Sequence, residues 1–286
     1  MSREYMSYKG MCFSPLYTSA ELLTFVENGF QVRDDDIFNV TYPKSGTIWM
    51  IEILSLICSG GDPHWSRTVP NWERMPWLES FNAQETLQVV SEKPRLITSH
   101  LPVHLFPKSK AKSKAKVIYT VRNPKDALVS LYHFSRATVY WKDPGSFEQL
   151  LQDFLTGDVP YGSWFDHVRG WTAVKDQTPF LLVTYEELLK DLRGSVVRIC
   201  DFLGRELDAA ALDSVVENAT FKTMKDNKMA NYSLISEDLI DLKKSPFIRK
   251  GISGDWKNHF TLEQSELFDR VYQERMRNLN VKLSWD

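Results

Sequence analysis

Short apolar runs alternate along the chain with longer segments of helical periodicity. Four runs, at 37–42, 95–99, 116–121 and 180–184, have the length and the Val, Ile, Leu, Tyr and Thr content of buried strands. Helical patterns lie near 47–58, 124–136, 146–156, 163–174, 186–203, 207–217 and 262–276. Such alternation predicts an α/β fold with a central, mostly parallel sheet and helices on both faces.

End signals support these helices. Asn123 followed by Pro124 is typical of an N-cap with proline at the first helical position, Gly204 of a helix stop, and Thr261 with Gln264 of a capping box. The 286 residues are 43% hydrophobic and show no break in composition. We therefore expect one domain over residues 1–286.

Charge and composition exclude several classes of protein. A formal charge of −2 gives no footprint for nucleic-acid binding. Residues 1–5 lack the apolar core of a signal peptide, and no apolar run reaches the roughly 20 residues that span a bilayer. Cys12, Cys58 and Cys200 suggest neither a disulfide framework nor zinc. These features predict a cytoplasmic protein with no nucleic-acid or membrane partner.

The segment 41–49, Thr-Tyr-Pro-Lys-Ser-Gly-Thr-Ile-Trp, joins a predicted strand to a predicted helix. Its backbone N–H groups would lie at the helix N-terminus, where an anion binds favourably. Gly46 permits close approach, Lys44 supplies charge, and Ser45 and Thr47 supply hydroxyl donors. This P-loop-like unit lacks the Walker A spacing, and a plain turn remains an alternative for the motif alone.

Two further clusters favour an anion site. Residues 249–257, Arg-Lys-Gly-Ile-Ser-Gly-Asp-Trp-Lys, place two cations beside two glycines, as a phosphate cradle would. Arg122 ends a predicted strand, at the edge where open α/β sheets bind ligands.

The motifs at 42–49, 122–126, 185–188 and 249–257 together resemble the cytosolic sulfotransferases, and the similarity extends over essentially the whole chain. The segments 162–168 and 227–232 look most like those of the hydroxysteroid and amine branches of this family. The resemblance implies 3′-phosphoadenosine 5′-phosphosulfate (PAPS) as sulfonate donor, without a metal. It implies these donor-binding residues: Lys44, Ser45, Gly46, Thr47, Ile48, Trp49, Arg122, Ser130, Tyr185, Ala219, Thr220, Phe221, Met224, Arg249, Lys250 and Gly251.

Within that set, the 5′ end of the donor would lie on residues 44–47 and the adenine between Trp49 and Phe221. The chain departs from the family pattern at Ile48 and Ala219, where polar residues are common, so hydrogen bonds are expected to be missing there. Thr220 is expected to compensate for Ala219.

His100 is the candidate general base, because a histidine of ordinary pKa can take a proton near neutral pH. A structural histidine at a strand end is the alternative, and the family's Ser-His-Leu-Pro motif at 99–102 favours catalysis. Lys44 and Ser130 complete the expected catalytic set. Structural roles are expected for the other five histidines, His64, His104, His133, His167 and His259. The spacing of His100 and His104 imitates a helical metal pair, but Pro102 between them argues against the helix that such a pair would need.

Aromatic residues in segments that look like loops predict a hydrophobic acceptor pocket. Its expected walls are Trp72, Trp77, Phe134 and Tyr232, with Trp65, Phe81 and Tyr132 as further candidates. A steroid-like alcohol or bile acid is the first choice of acceptor and a hydrophobic amine the second. Thr98 stands where phenol-type relatives often carry lysine, which disfavours a phenol.

Residues 257–266 resemble the family's short dimerisation motif, with Leu262 in place of the usual valine, and predict a homodimer. A capped surface helix is the alternative. The lysine-rich segment 108–116 is expected to be a solvated loop. Residues 233–246 are expected to form a long surface excursion, either a gate for a site or a disordered linker.

Two other functions remain open from the residues alone. A P-loop kinase or nucleoside triphosphatase would need magnesium and a Walker B carboxylate. A catalytically silent nucleotide-binding protein would bind PAPS without transferring its sulfonate.

Overall fold

The computed structural model describes residues 4–88, 94–279, 281–283 and 285. Of the segment 1–5 discussed above, residues 1–3 lie outside this range. The strands are β1 Met6–Tyr8, β2 Met11–Phe13, β3 Ile37–Thr41, β4 Leu96–Ser99, β5 Lys116–Val121 and β6 Phe180–Thr184. The α-helices, α1 to α13 in chain order, are Ala20–Asn28, Thr47–Cys58, His64–Thr68, Asn71–Arg74, Ala83–Gln88, Pro124–Ala137, Phe147–Thr156, Trp164–Ala173, Tyr185–Lys190, Leu192–Leu203, Ala209–Asn218, Phe221–Asp226 and Leu262–Arg275. Short 3-10 helices lie at Val103–Leu105, Lys108–Lys112 and Asp255–Asn258.

The central sheet has four parallel strands in the order β4-β3-β5-β6. The predicted α/β class is therefore confirmed. Because all four strands run the same way, the residues that follow them meet at one edge of the sheet. The antiparallel hairpin of β1 and β2 was not predicted, since three-residue strands are too short to show a period.

Alternate residues of each strand enter two different hydrophobic clusters, one on each face of the sheet. Phe38 and Tyr119 belong to one cluster, whereas Ile37 and Ile118 belong to the other. Helix α2 packs on the second face with its apolar side chains almost completely buried. Burial of each such side chain stabilises the fold by about 1.5–3 kcal/mol. The loop before α2 is thus fixed to a rigid element.

The predicted helix over 186–203 is two helices, α9 and α10, which meet at Asp191. Its φ of −149° is not helical, and its carboxylate caps α10 by accepting from the N–H of Gly194 at 2.8 Å. Helices α1, α3, α4, α5 and α12 were not predicted. Most are too short for a clear period, and their apolar faces show only once the core is assembled.

Two surface expectations need correction or refinement. The lysine-rich segment is not a wholly solvated loop, because Lys110 is buried in a 3-10 helix and its ammonium bonds the Thr178 hydroxyl. Residues 233–246 contain no helix or strand but dock on the end of α6: the N–H of Asp241 donates to the Ala137 carbonyl at 2.7 Å, and Ile240 is buried.

No helix in the described ranges has the length and apolar content to cross a bilayer.

Candidate active site

The loop between β3 and α2 has a backbone that favours anion binding. Lys44 and Gly46 both lie in the left-handed region, with φ of +68° and +101°. A Cβ atom on Gly46 would lie 2.9 Å from the ring of Tyr185, so this position needs glycine for space as well as for conformation. The first N–H groups of α2 have no intrahelical partners and carry the positive end of the helix dipole. The side chain of Ser45 is buried, and its hydroxyl has no hydrogen-bond partner among the described residues.

Lys44 projects into a sandwich of two aromatic rings. Its Nζ lies 4.0 Å from the ring centroid of Phe134 and 4.4 Å from that of Phe247. Burial, with the neighbouring charges of Arg122 and Arg249, lowers the pKa of Lys44 to about 7. An anion bound in the loop would stabilise the charged ammonium form of Lys44 and raise its pKa.

The second cluster of cations forms a preorganised cradle. Asp255 accepts from Arg249 at 2.7 Å and from Lys250 at 2.6 Å, and these charges hold the pKa of its carboxyl well below the usual range despite its burial. Asp126, at the start of α6, accepts from the N–H groups of Gly254 and Trp256 at 2.6 and 2.9 Å. Two buried carboxylates therefore fix this loop.

Arg122 connects the two anion cradles. One Nη donates to the Lys44 carbonyl at 3.2 Å and the other to the Ile252 carbonyl at 3.0 Å. Its guanidinium also lies 4.2 Å from the ring centroid of Tyr185. The Nε atom is buried and has no partner in the described part of the chain. This unused donor and the orphan hydroxyl of Ser45 fit a ligand with anionic groups at both ends.

An aromatic slot lies between the cradles. The indole of Trp49 donates to the Ala219 carbonyl at 2.8 Å and packs edge-on against Tyr185. A Cβ atom on Gly251 would lie 2.1 Å from the ring of Phe221, so the cation loop passes directly over that ring. A planar base can be held between such rings.

The two departures from the family pattern have defined surroundings. Ile48 lines the cavity and packs against the cluster beneath α2. Ala219 is buried and offers only its carbonyl. The hydroxyl of Thr220 caps α12 and donates to the Glu217 carbonyl at 3.0 Å. Compensation by Thr220 therefore remains a prediction, because its hydroxyl already has partners.

His100 follows β4, and its ring orientation is fixed by Thr41. Nδ1 lies 2.8 Å from the Thr41 carbonyl, which can only accept, so Nδ1 carries the proton and Nε2 has the lone pair. Burial, with the nearby charge of Lys44, lowers the pKa of His100 to about 4, although the bond to Thr41 opposes this shift. His100 is thus neutral at neutral pH, with no described residue bonded to Nε2.

A single cavity of about 940 Å³ joins these features. His100, Lys44 and Ser130 line it together. The predicted donor residues line it as well, except Ser45 and Ala219, which lie buried behind its surface. The four expected acceptor walls, Trp72, Trp77, Phe134 and Tyr232, also line this cavity.

The aromatic residues differ in their placement from the expectation. Phe81 lines the cavity, but Trp65 and Tyr132 pack against the hydrophobic clusters instead. Trp72 lies on α4, a helix that was not predicted, whereas Phe134 lies on α6, within the helix predicted over 124–136. Short helices with exposed polar turns resemble loops in sequence.

Sequence reasoning missed several cavity residues because their segments carry no motif. Phe247, only two residues before Arg249, stacks on Tyr232 with ring centroids 3.8 Å apart. Tyr17 and Tyr161 line the cavity from segments distant in the chain. Only the proximity of Phe247 to the cation cluster could have signalled a role.

The other histidines have structural partners or partial exposure. His167 bonds the Tyr119 hydroxyl at 2.8 Å, and the Nε2 atoms of His133 and His259 lie 3.1 Å apart. Within the described ranges, no group of three or more His, Cys, Asp or Glu residues could hold a metal ion.

Residues 34–280 match the model of the Sulfotransferase domain family. The chain is 53% identical over 283 residues to Sulfotransferase 2B1 of Homo sapiens, covering 99% of this chain and 77% of that protein. It is 48% identical over 283 residues to a 3-beta-hydroxysteroid sulfotransferase of Cavia porcellus, covering 99% and 98%. Among solved structures, a mouse sulfotransferase complexed with PAP has a TM-score of 0.80 and 33% identity, covering 97% of this chain and 96% of that one.

The resemblance found in the motifs is confirmed by these matches, which extend over nearly the whole chain. They also decide against a kinase or nucleoside triphosphatase. The chain therefore belongs to the sulfotransferase family and is an enzyme of that class.

Proposed function

We propose that this enzyme transfers a sulfonate group from PAPS to the hydroxyl of a steroid-like alcohol. The observation that carries the proposal is the presence in one cavity of a neutral His100, whose Nε2 is bonded by no described residue, and of Lys44 in the anion loop. The name of the 3-beta-hydroxysteroid relative supports the acceptor class, and the PAP-bound structure of a mouse relative supports the donor.

The donor is held at its two charged ends. The loop of Lys44 to Thr47 binds the 5′ side, next to the N-terminus of α2. Arg249 and Lys250, with Arg122, Ser130 and the N–H of Gly251, bind the 3′-phosphate. Trp49 and Phe221 enclose the adenine, and Tyr185, Thr220 and Met224 complete its pocket.

Transfer requires in-line alignment and charge stabilisation. Nε2 of His100 accepts the hydroxyl proton while the acceptor oxygen bonds to sulfur and the bond from sulfur to the bridging oxygen breaks. Lys44 and the loop N–H groups stabilise the charge that develops on the leaving phosphate. The products are a sulfate ester, adenosine 3′,5′-bisphosphate (PAP) and a proton on His100.

The acceptor is lipophilic because the cavity walls are aromatic. Steroid alcohols and bile acids are the first choice, hydrophobic amines the second and phenols the third. The buried hydroxyl of Thr98 supplies no cation that would favour a phenolate. Conjugation of foreign lipophilic compounds is compatible with the same pocket.

The remaining parts of the proposal concern the whole protein. We place one catalytic domain over residues 1–286, in the cytoplasm, with no nucleic-acid or membrane partner. Two copies associate through residues 257–266, whose Leu262 is 75% exposed.

The test is a panel of steroid alcohols, bile acids, phenols and amines, each incubated with PAPS and assayed for sulfonated product and PAP. We expect the highest kcat/KM for a steroid alcohol. His100→Ala should bind PAP normally but turn over about two to four decades more slowly. PAP binding without product from any acceptor would instead indicate a silent nucleotide-binding protein, and normal turnover of His100→Ala would remove this base from the mechanism.

A further inference from the structure

Glu79 is a completely buried carboxylate that the proposed mechanism does not use. Its Oε1 accepts from the backbone N–H of His100 at 2.8 Å, and its Oε2 accepts from Ser99 Oγ at 2.9 Å. Ser99 Oγ in turn accepts from the N–H of Leu101 at 3.0 Å. The Glu79 carboxylate, directly and through Ser99, thus fixes the position of the main chain of residues 99–101 at the end of β4.

Tyr161 links the same carboxylate to the ring of His100. Its hydroxyl interacts electrostatically with the Glu79 carboxylate, and its ring packs edge-on against the imidazole with centroids 5.3 Å apart. Tyr161 has a φ of +69°, a conformation that residues with a side chain seldom adopt.

We propose that Glu79 is a positioning residue for sulfonate transfer, holding His100 by its main chain and, through Tyr161, by its ring. Together with the bond from Nδ1 to Thr41, these contacts fix the direction of Nε2. The inference rests on the proposed role of His100 as base. A misplacement of about 1 Å can lower a rate about a hundredfold, so the effect should be measurable.

The charge of Glu79 matters for this arrangement. Burial raises the pKa of Glu79 to about 7, and the hydrogen bonds from His100 and Ser99, with the nearby Tyr161 hydroxyl, oppose that rise. The titratable groups that face it, Tyr17, Tyr161 and His100, are all neutral near pH 7. The ionised carboxylate can accept from both of its donors, the N–H of His100 and the hydroxyl of Ser99, whereas the protonated acid must donate one bond itself. Glutamine at this position imitates the protonated form.

The experiment compares the wild type with Glu79→Gln and Glu79→Ala in single-turnover assays at saturating PAPS. We expect the transfer rate to fall about tenfold in Glu79→Gln and about a hundredfold in Glu79→Ala, with PAP affinity within about twofold of wild type. Between pH 8 and 6, the wild-type rate should fall towards that of Glu79→Gln, so that their ratio approaches one. Protonation of Lys44 affects both proteins equally and cancels in this ratio.

Glu27→Gln is the matched control. Glu27 is also buried and accepts from Lys9, but it lies on α1 with partners outside the cavity lining. It should lower the melting temperature without changing the transfer rate. A Glu79→Gln enzyme with the wild-type rate, or one whose only change is a lower melting temperature, overturns the proposal.

Imidazole ¹⁵N spectra provide a readout that does not depend on turnover. His100, assigned by the loss of its signals in His100→Gln, should show a protonated Nδ1 and a bare Nε2 in the wild type, and mixed tautomers in Glu79→Ala. An unchanged tautomer contradicts the positioning role. Absence of transfer by the wild type would refute the proposed function, whereas these spectra would still decide the inference.

Discussion

Burial lowers the pKa of two single side chains, with different consequences for each. It lowers the pKa of His100 to about 4, which keeps the imidazole neutral and able to accept a proton at physiological pH. It lowers the pKa of Lys44 to about 7, so the same environment leaves this ammonium only partly charged near neutrality. The aromatic faces of Phe134 and Phe247 offset some of the lost hydration. We therefore expect Lys44 to take up a proton when an anion binds beside it.

We predict that PAP binding is coupled to proton uptake at Lys44. The bound anion raises the pKa of Lys44 above its ligand-free value of about 7, so affinity should fall as pH rises from 7 to 9, by up to about tenfold per unit. Isothermal titration calorimetry at pH 8, in two buffers of different ionisation enthalpy, measures the protons taken up.

Lys44→Arg is the control for this coupling, because arginine stays charged throughout this range. The variant should bind PAP with little change between pH 7 and 9, even if its affinity is lower. A wild type that takes up no protons at pH 8 would contradict the shifted pKa of Lys44.

At the scale of elements, the cation loop depends on the backbone as much as on its charges. Asp126 holds the N–H groups of Gly254 and Trp256, and Asp255 holds the two cations. Gly251 and Gly254 both have left-handed backbones, with φ of +67° and +85°. They differ in the space around an added Cβ atom, which would lie 2.1 Å from the ring of Phe221 at Gly251 but would meet nothing within 4 Å at Gly254.

We predict that Gly251→Ala weakens PAP binding about ten- to a hundredfold, whereas Gly254→Ala changes it less than about threefold. An added methyl group at Gly251 would overlap the Phe221 ring and separate the cradle from the aromatic slot, while the methyl at Gly254 enters open space. Both variants carry the same kind of backbone strain, about 1–2 kcal/mol. Equal losses of PAP affinity in the two variants would show that strain, and not the contact with Phe221, determines the effect.

At the scale of the whole molecule, the parallel sheet gathers residues that are far apart in the sequence. Thr41, His100 and Arg122 lie at or just beyond the ends of β3, β4 and β5, and therefore meet at one edge. The proposed homodimer contact lies elsewhere, at the start of α13. Leu262 is 75% exposed there, directly after the capping residue Thr261.

We predict that Leu262→Glu converts a dimer into a monomer. A buried charge without a partner opposes association, and a contact this small has little energy to offset it. Sedimentation at micromolar concentration should give about twice 33.2 kDa for the wild type and the single-chain mass for the variant. Val197→Glu, an exposed apolar position on α10, should leave the mass unchanged. A monomeric wild type would refute the proposed contact.

The predicted strands agree closely with the structure, and so does the position of the loop between β3 and α2, because both depend on local patterns. β3 ends one residue earlier than expected and β4 begins one residue later. The break at Asp191 was missed, since a capping carboxylate in a helical pattern looks like any exposed acid. Phe247 and Glu79 were missed because their importance comes from contacts with residues such as Lys44 and His100, which are distant in sequence.

The sequence by itself determined the fold class, the family and the residue types that are proposed to bind an anion, because periodicity, capping and motif spacing are properties of neighbouring residues. Only the tertiary structure decided how those residues act. Burial set the pKa values of His100, Lys44 and Glu79, and packing of separate segments formed the cavity between them. Desolvation and long-range contacts exist only after the chain has folded, which is why no local pattern could reveal them.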